Sequence, residues 1–191
     1  MKILFIGNSY TYFNDMPKTL ERICRENGFD LTTDSVTKGG YSFAHFLSAE
    51  NEYGVRVRDL LSREKYDYVV LQEQSLRPAY SRDTFIECLG GLLPLIKENG
   101  ATPLLYETWG RANGAEALKE RNDTHETMHA KIKEGYEQAG EKYGVKVIHA
   151  GDRLHEAYLR GEAVYNEDGS HPSPLGSEIV AREFFRELFK A

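Results

Sequence analysis

The chain has 191 residues, 40% of them hydrophobic and 28% charged, with a formal net charge of −6. That length suits one domain, spanning 1–191, with a sizeable core. A net negative charge without a long run of one sign argues against a general nucleic-acid or anionic-membrane surface, and no apolar run approaches the ~18–20 residues of a membrane span. The N-terminus, one lysine before a short apolar run, reads as a first strand and not as a signal peptide. The expected compartment is therefore the cytoplasm, with a processed secreted form left open. Cys24 and Cys88 lie in helical patterns without metal-ligand spacing and read as buried free thiols.

Strand-like and helix-like segments alternate along the chain. Lys2–Ile6 is a first strand, ended by Gly7 and followed by Asn8-Ser9. Met16, Leu20, Ile23 and Cys24 recur at helical spacing, with Pro17 in the first turn, which predicts a helix over about 15–27. Leu31–Val36 is a second, more polar strand, as at a sheet edge, and runs into Gly39-Gly40-Tyr41. A short helix over 55–62 precedes a third strand, Tyr66–Leu71, and the loop Gln72-Glu73-Gln74-Ser75. Amphipathic spacing of Phe85, Cys88, Leu89, Leu92, Leu95 and Ile96 predicts a helix over 82–98, with Pro94 marking a kink or an early end. Thr102–Tyr106 is a fourth strand leading to Trp109. A long helix over 123–143, a fifth strand at Lys146–His149 and a helix over 152–159 follow. A turn-rich loop, Asn166–Pro174, precedes a closing helix over 175–189. Strands alternating with helices imply a parallel sheet of about five strands with helices on both faces.

In such a sheet the loops beyond the carboxyl ends of the strands gather at one edge, where ligands bind. They hold Ser9, Gly39-Gly40, Gln72 and Gln74. Ser9 reads as a nucleophile, a phosphate-binding hydroxyl or a turn residue. Near the other end of the chain, Asp168 and His171 are three residues apart. A serine nucleophile needs a base for its proton and a carboxylate to fix the imidazole tautomer, and a D-x-x-H loop can deliver both. A surface turn capping the last helix is the plainer reading of that tetrapeptide. Two other motifs compete. His125-Glu126-Thr127-Met128-His129 is H-E-x-x-H, which on a helix can bind zinc, but Asp123 and Lys131 flank it with charge, so a solvated helix face is expected. Ser9-x-Thr11-x-x-Asn14 loosely matches the phosphate loop of a flavodoxin-like nucleotide-binding module.

Taken jointly, G-N-S-Y-T after the first strand, Gly39-Gly40 after the second, a Gln-rich loop after the third and D-G-S-H-P-S before the last helix resemble the SGNH (GDSL-like) hydrolases. The blocks G-N-S-x-T and L-Q-E-Q-S resemble one branch of that superfamily. The resemblance implies a flavodoxin-like three-layer α/β/α fold, strand order 2-1-3-4-5, and ester hydrolysis without metal or cofactor. It implies Ser9 as nucleophile, His171 as general base, Asp168 as its orienter, and the N–H groups of Ser9 and Gly40 in an oxyanion hole. Two positions depart from the family pattern. Asn8 replaces the usual acid, and no Asn follows the third strand; Gln74, or else Gln72, offers an equivalent amide. A small ester is the implied substrate, an acetyl group on a carbohydrate being one form. Tyr10, Tyr12, Tyr41, Tyr80 and Trp109 lie near the expected pocket, and Tyr10, Tyr41 and Trp109 are the candidate walls for sugar or aryl faces. Arg77 and Arg111 share those loops and can meet an anionic group, although a solvated arginine is the default. A catalytically inactive carbohydrate-binding protein is the further alternative. No nucleic-acid or membrane partner is expected, and the oligomeric state is left open.

Overall fold

The computed structural model describes residues 1–189; the last two positions of the expected 1–191 domain lie outside the described residues. In chain order, β1 (Lys2–Gly7) leads to the one-turn α1 (Ser9–Tyr12), a 3₁₀ turn at Phe13–Asp15, and α2 (Met16–Glu26). β2 (Thr32–Thr37) is followed by α3 (Phe43–Leu47) and α4 (Glu52–Arg63), and β3 (Tyr68–Leu71) by α5 (Arg77–Tyr80) and α6 (Arg82–Asn99). β4 (Thr102–Tyr106) precedes α7 (Glu116–Lys119) and α8 (His125–Tyr143); β5 (Lys146–Ile148) precedes α9 (Ala150–Leu159) and α10 (Pro174–Phe189).

The strands pair in parallel in the order β2-β1-β3-β4-β5, as expected. β1 lies inside the sheet, between β2 and β3, because it is apolar on both faces, and Ile3 to Gly7 are all buried. β2 buries only Thr33 and Val36 of its six residues, which suits an edge. The pleat sends Leu4 and Ile6 to one face, where they meet Val57 of α4, Phe85 and Leu89 of α6, and Ile132 and Tyr136 of α8. Ile3 and Phe5 face the other side, against Leu20 of α2, Leu154 of α9 and Phe184 of α10. Burying each such side chain contributes ~1.5–3 kcal/mol before the entropy cost of ordering it.

The helices α1, α3, α5 and α7, four or five residues each, are too short to carry a periodic signal. α6 continues past Pro94 to Asn99, so the proline does not end it; Gly100, at φ +88°, does. Cys24 is buried and Cys88 half-buried, both as free thiols. Among the described residues, no helix is long and apolar enough to cross a membrane. Because the chain steps from β1 to β2 on one side and to β3 on the other, the crevice beyond β1 and β3 is the switch point of the sheet.

Candidate active site

Ser9 begins α1 directly beyond β1. A side chain at Gly7 has no room: a Cβ there would sit 2.6 Å from Thr11 Oγ1 and 2.7 Å from Gln72 Oε1. Asn8 caps α1, its Oδ1 accepting from the Tyr10 N–H at 3.2 Å, while its Nδ2 donates to the Tyr41 carbonyl at 2.9 Å. The second bond accounts for the departure from the family's acid. A carboxylate has no hydrogen to offer Tyr41, whereas the amide fastens the Ser9 turn to the loop after β2.

His171 Nε2 lies 2.8 Å from Ser9 Oγ, and His171 Nδ1 lies 2.5 Å from Asp168 Oδ2. The carboxylate only accepts, so Nδ1 carries the proton, Nε2 is bare, and the Ser9 hydroxyl donates to it. Asp168 Oδ1 also accepts from the N–H groups of Ser170 and His171, both at 2.9 Å. Partial desolvation raises the Asp168 carboxyl, but the hydrogen bonds from the His171 ring and from these two amides outweigh it and hold it below its ordinary value. Phe13 stacks on the imidazole at 4.3 Å. Asn14 donates from Nδ2 to the Pro172 carbonyl and to Ser177 Oγ, both at 2.9 Å. It does so from a left-handed backbone, φ +53°, that Asn tolerates better than most residues. The loose phosphate-loop match Ser9-x-Thr11-x-x-Asn14 requires the Thr11 and Asn14 side chains to be free for an anion. The Asn14 amide instead ties the histidine loop to the segment carrying Ser9, and the Thr11 hydroxyl donates to Gln72 Oε1, so neither group is free for an anion.

Gly40 sits at the third position of a turn closed by Tyr41 N to Lys38 O at 3.1 Å, with the positive φ, +75°, that a type II turn requires there. Among the described residues the N–H groups of Ser9 and Gly40 have no acceptor. Gln74 Oε1 accepts from the Leu76 N–H at 2.8 Å, which leaves its Nε2 uncommitted, and Gln74 lines the same cavity as Ser9, Gly40 and His171. Gln72 is placed otherwise. It is fully buried, its Oε1 accepts from the Asn8 N–H and Thr11 Oγ1, each at 2.9 Å, and its Nε2 donates to the Glu73 carbonyl. Gln72 therefore braces the Ser9 turn against β3 and, fully buried, does not line the cavity. Glu73, which sequence reading passed over, accepts from the N–H groups of Phe43 and Gln74 at 3.1 and 2.6 Å and so links the loops after β2 and β3. Burial pushes its carboxyl up to about 7.

The cavity holds about 160 Å³ and is lined by Ser9, Gly40, Gln74, Ser75, Arg111 and His171, among others. Of the three aromatic candidates, Tyr10 borders it but is 3% exposed; its ring stacks on Trp109 at 4.6 Å and its hydroxyl meets Ser170 Oγ at 2.6 Å. Trp109 is not a wall of the site. It is fully buried behind it, and its Nε1 donates to the Ser170 carbonyl at 3.0 Å. Tyr41 contributes its backbone carbonyl to Asn8, while its ring packs on His45 at 4.3 Å. The rings thus shape the loop carrying Asp168 and His171 more than they face a ligand.

The H-E-x-x-H segment is neither a solvated face nor a metal pair. His125 is fully buried and His129 is 5% exposed. His125 Nδ1 donates to the Arg111 carbonyl at 3.0 Å and its Nε2 meets His155 Nδ1 at 2.7 Å. Desolvation keeps His125 neutral, lowering it to about 4. His129 points elsewhere, to Asp152 Oδ1 at 3.1 Å. It stands with Glu107 and Asp152 in a cluster whose carboxylates already meet His149 at 2.6 Å and Lys133 at 2.8 Å. The two histidines serve to pack α8 on α9 and on the loop after β4.

The fold and this edge of the sheet together define a class: an α/β/α protein that brings a serine, a histidine and an aspartate into one hydrogen-bonded series at the switch point of a parallel sheet. No protein-family model matches the sequence, and no curated protein matches it. Solved structures do. A protein from Slackia heliotrinireducens described as an SGNH hydrolase is 29% identical over 96% of each chain, with a TM-score of 0.82. A DUF4886 family protein from Bacteroides uniformis shares the fold at a TM-score of 0.86 and 20% identity, over 100% of this chain and 83% of that one. An acetyl xylan esterase shares it at 0.73 and 12% identity, over 99% and 100%. The likeness to the first of these places the chain with the SGNH-like hydrolase superfamily.

Proposed function

We propose that the chain hydrolyses small acyl esters through Ser9, His171 and Asp168. The observation that carries this reading is the unbroken series from Ser9 Oγ to His171 Nε2 at 2.8 Å and from His171 Nδ1 to Asp168 Oδ2. Ser9 Oγ attacks the ester carbonyl carbon as its proton passes to His171 Nε2. The carbonyl π pair moves onto oxygen, where the N–H groups of Ser9 and Gly40 and the Gln74 amide receive it; such donors act on charge present only in the tetrahedral state. Collapse breaks the ester C–O bond, and the alcohol leaves with the proton from His171. Water then adds to the acyl-Ser9 ester, giving its proton to His171, and the acid departs as the proton returns to Ser9 Oγ. Asp168 keeps Nδ1 protonated throughout and stabilises the imidazolium.

The small cavity favours a short acyl group, and the likeness in fold to an acetyl xylan esterase makes an acetyl group on a carbohydrate one candidate. The whole 1–191 chain acts as one domain in this reading, with no metal or cofactor in the reaction. Hydrolysis of a panel of acetyl esters by the wild type, lost in Ser9→Ala with the circular dichroism spectrum unchanged, supports it; full activity in Ser9→Ala overturns it.

A further inference from the structure

Beside Ser9 and His171 the cavity is lined by one arginine, Arg111. Its Nη2 donates to Ser75 Oγ at a long 3.3 Å. Its Nε is buried without a partner, and Arg111 makes no ion pair among the described residues. The carboxylates around the site are otherwise engaged: Asp168 holds His171, and Glu73 accepts from the Phe43 and Gln74 amides. A charge in a cavity wall that has no carboxylate of its own is met best by an anion that arrives from outside. The backbone beneath the side chain is fixed on both sides. The Arg111 carbonyl accepts from His125 Nδ1, and the Gly110 carbonyl accepts from Tyr165 Oη at 2.7 Å. Gly110 itself packs so closely on α8 that a Cβ there would fall 2.4 Å from the His125 carbonyl oxygen. The guanidinium is thus presented on a rigid base.

We infer that Arg111 is the specificity-determining residue of this site, and that the substrate is an ester carrying a carboxylate within a few bonds of the scissile carbonyl. The inference rests on the ester-hydrolase reading above and adds to it the substrate's charge. The fork of a guanidinium matches a carboxylate, and Nη2, held only by the long bond to Ser75 Oγ on the cavity wall, is the donor placed to meet one. A cavity of about 160 Å³ requires the reacting carbonyl and the anion to lie close together. Whole-molecule steering does not supply the preference, because a net charge of −6 repels an anionic ester at long range. The preference comes from this one residue at contact distance.

The carboxylate can sit on the alcohol or on the acyl side, and two matched pairs separate these. O-acetylglycolate and O-acetylglycolamide place the charge on the alcohol; monomethyl succinate and methyl succinamate place it on the acyl group. Within each pair only the charge changes. The expected result is a kcat/KM about tenfold or more higher for the carboxylate in one pair. Arg111→Gln brings that ratio to about one, and Arg111→Lys retains part of it. Ratios near one in both pairs for the wild type, or a ratio that Arg111→Gln leaves intact, overturn the inference. If none of the four esters is hydrolysed, the ester-hydrolase reading has failed, and the anion site is judged by melting temperature. Stabilisation by glycolate or succinate over glycolamide or succinamide, lost in Arg111→Gln, supports it; equal effects overturn it.

Discussion

Ser9 Oγ and His171 Nε2 stand 2.8 Å apart across a separation of 162 residues. Three contacts fix that distance from behind: Asn14 on the Pro172 carbonyl, Trp109 on the Ser170 carbonyl, and Tyr10 on the Ser170 hydroxyl. Ser9→Ala and His171→Ala are each expected to lower kcat by about 10⁴–10⁶. Asp168→Asn should cost less, about 10²–10⁴, because that carboxyl is half exposed, at 49%, and solvent can partly replace it. The three rate constants, measured on one acetyl ester with thermal melts alongside, test this ranking.

The two glutamines after β3 should separate cleanly. Gln74→Ala removes an uncommitted amide facing the cavity, so kcat should fall about 10²–10³-fold with little change in melting temperature. Gln72→Ala strands the Asn8 N–H and the Thr11 hydroxyl in the interior and should cost about 2–4 kcal/mol of stability. Urea denaturation and steady-state kinetics on both variants read the difference.

Asn8→Asp restores the residue usual in the superfamily, yet it should harm this chain. The carboxylate keeps the cap on Tyr10 but faces the Tyr41 carbonyl with no hydrogen to donate. The expected loss is about 1–3 kcal/mol of stability together with roughly tenfold in kcat, since the tie between the Ser9 and Gly40 loops is broken. Calorimetry and kcat on the single variant check both parts.

Glu73 makes stability depend on pH. Burial raises its carboxyl from the ordinary 4.5 to about 7 in the folded chain. Between those values the folded state holds a proton that the unfolded state has released, so stability falls as pH rises and levels off above about 7. The loss amounts to about 3 kcal/mol. Glu73→Gln keeps an acceptor for the Phe43 and Gln74 amides without the charge. Its melting temperature should match the wild type at pH 5 and exceed it at pH 8. A gap that stays constant across that range contradicts the assignment.

The sheet was legible because β1, β3 and β4 are short apolar runs between helices with clear periodicity, and its strand order through the resemblance carried by the loop motifs. The Ser9, Asp168 and His171 positions were legible because their motifs are local. What escaped was the work of long-range partners. The roles of Gln72 and Gln74 look alike in L-Q-E-Q-S, and only the end of β3 at Leu71, after which the chain leaves the pleat, lets one face Asn8 and the other the cavity. Trp109 follows a strand as a pocket wall would, but the stack with Tyr10 turns it inward. His125 and His129 look like a metal pair or a wet face, and their burial comes from α9, thirty residues away in the case of His155. Asn14 gave no sign that its amide would hold the histidine loop.

Labelling with a serine-directed fluorophosphonate tests the central claim most directly. A nucleophile with a bare imidazole nitrogen at 2.8 Å should displace fluoride from phosphorus, and its peptide should carry the added phosphonyl mass. The account predicts a single adduct, on the peptide containing Ser9, that disappears in Ser9→Ala and in His171→Ala. Failure of the wild type to label, or an adduct that survives Ser9→Ala, would contradict it.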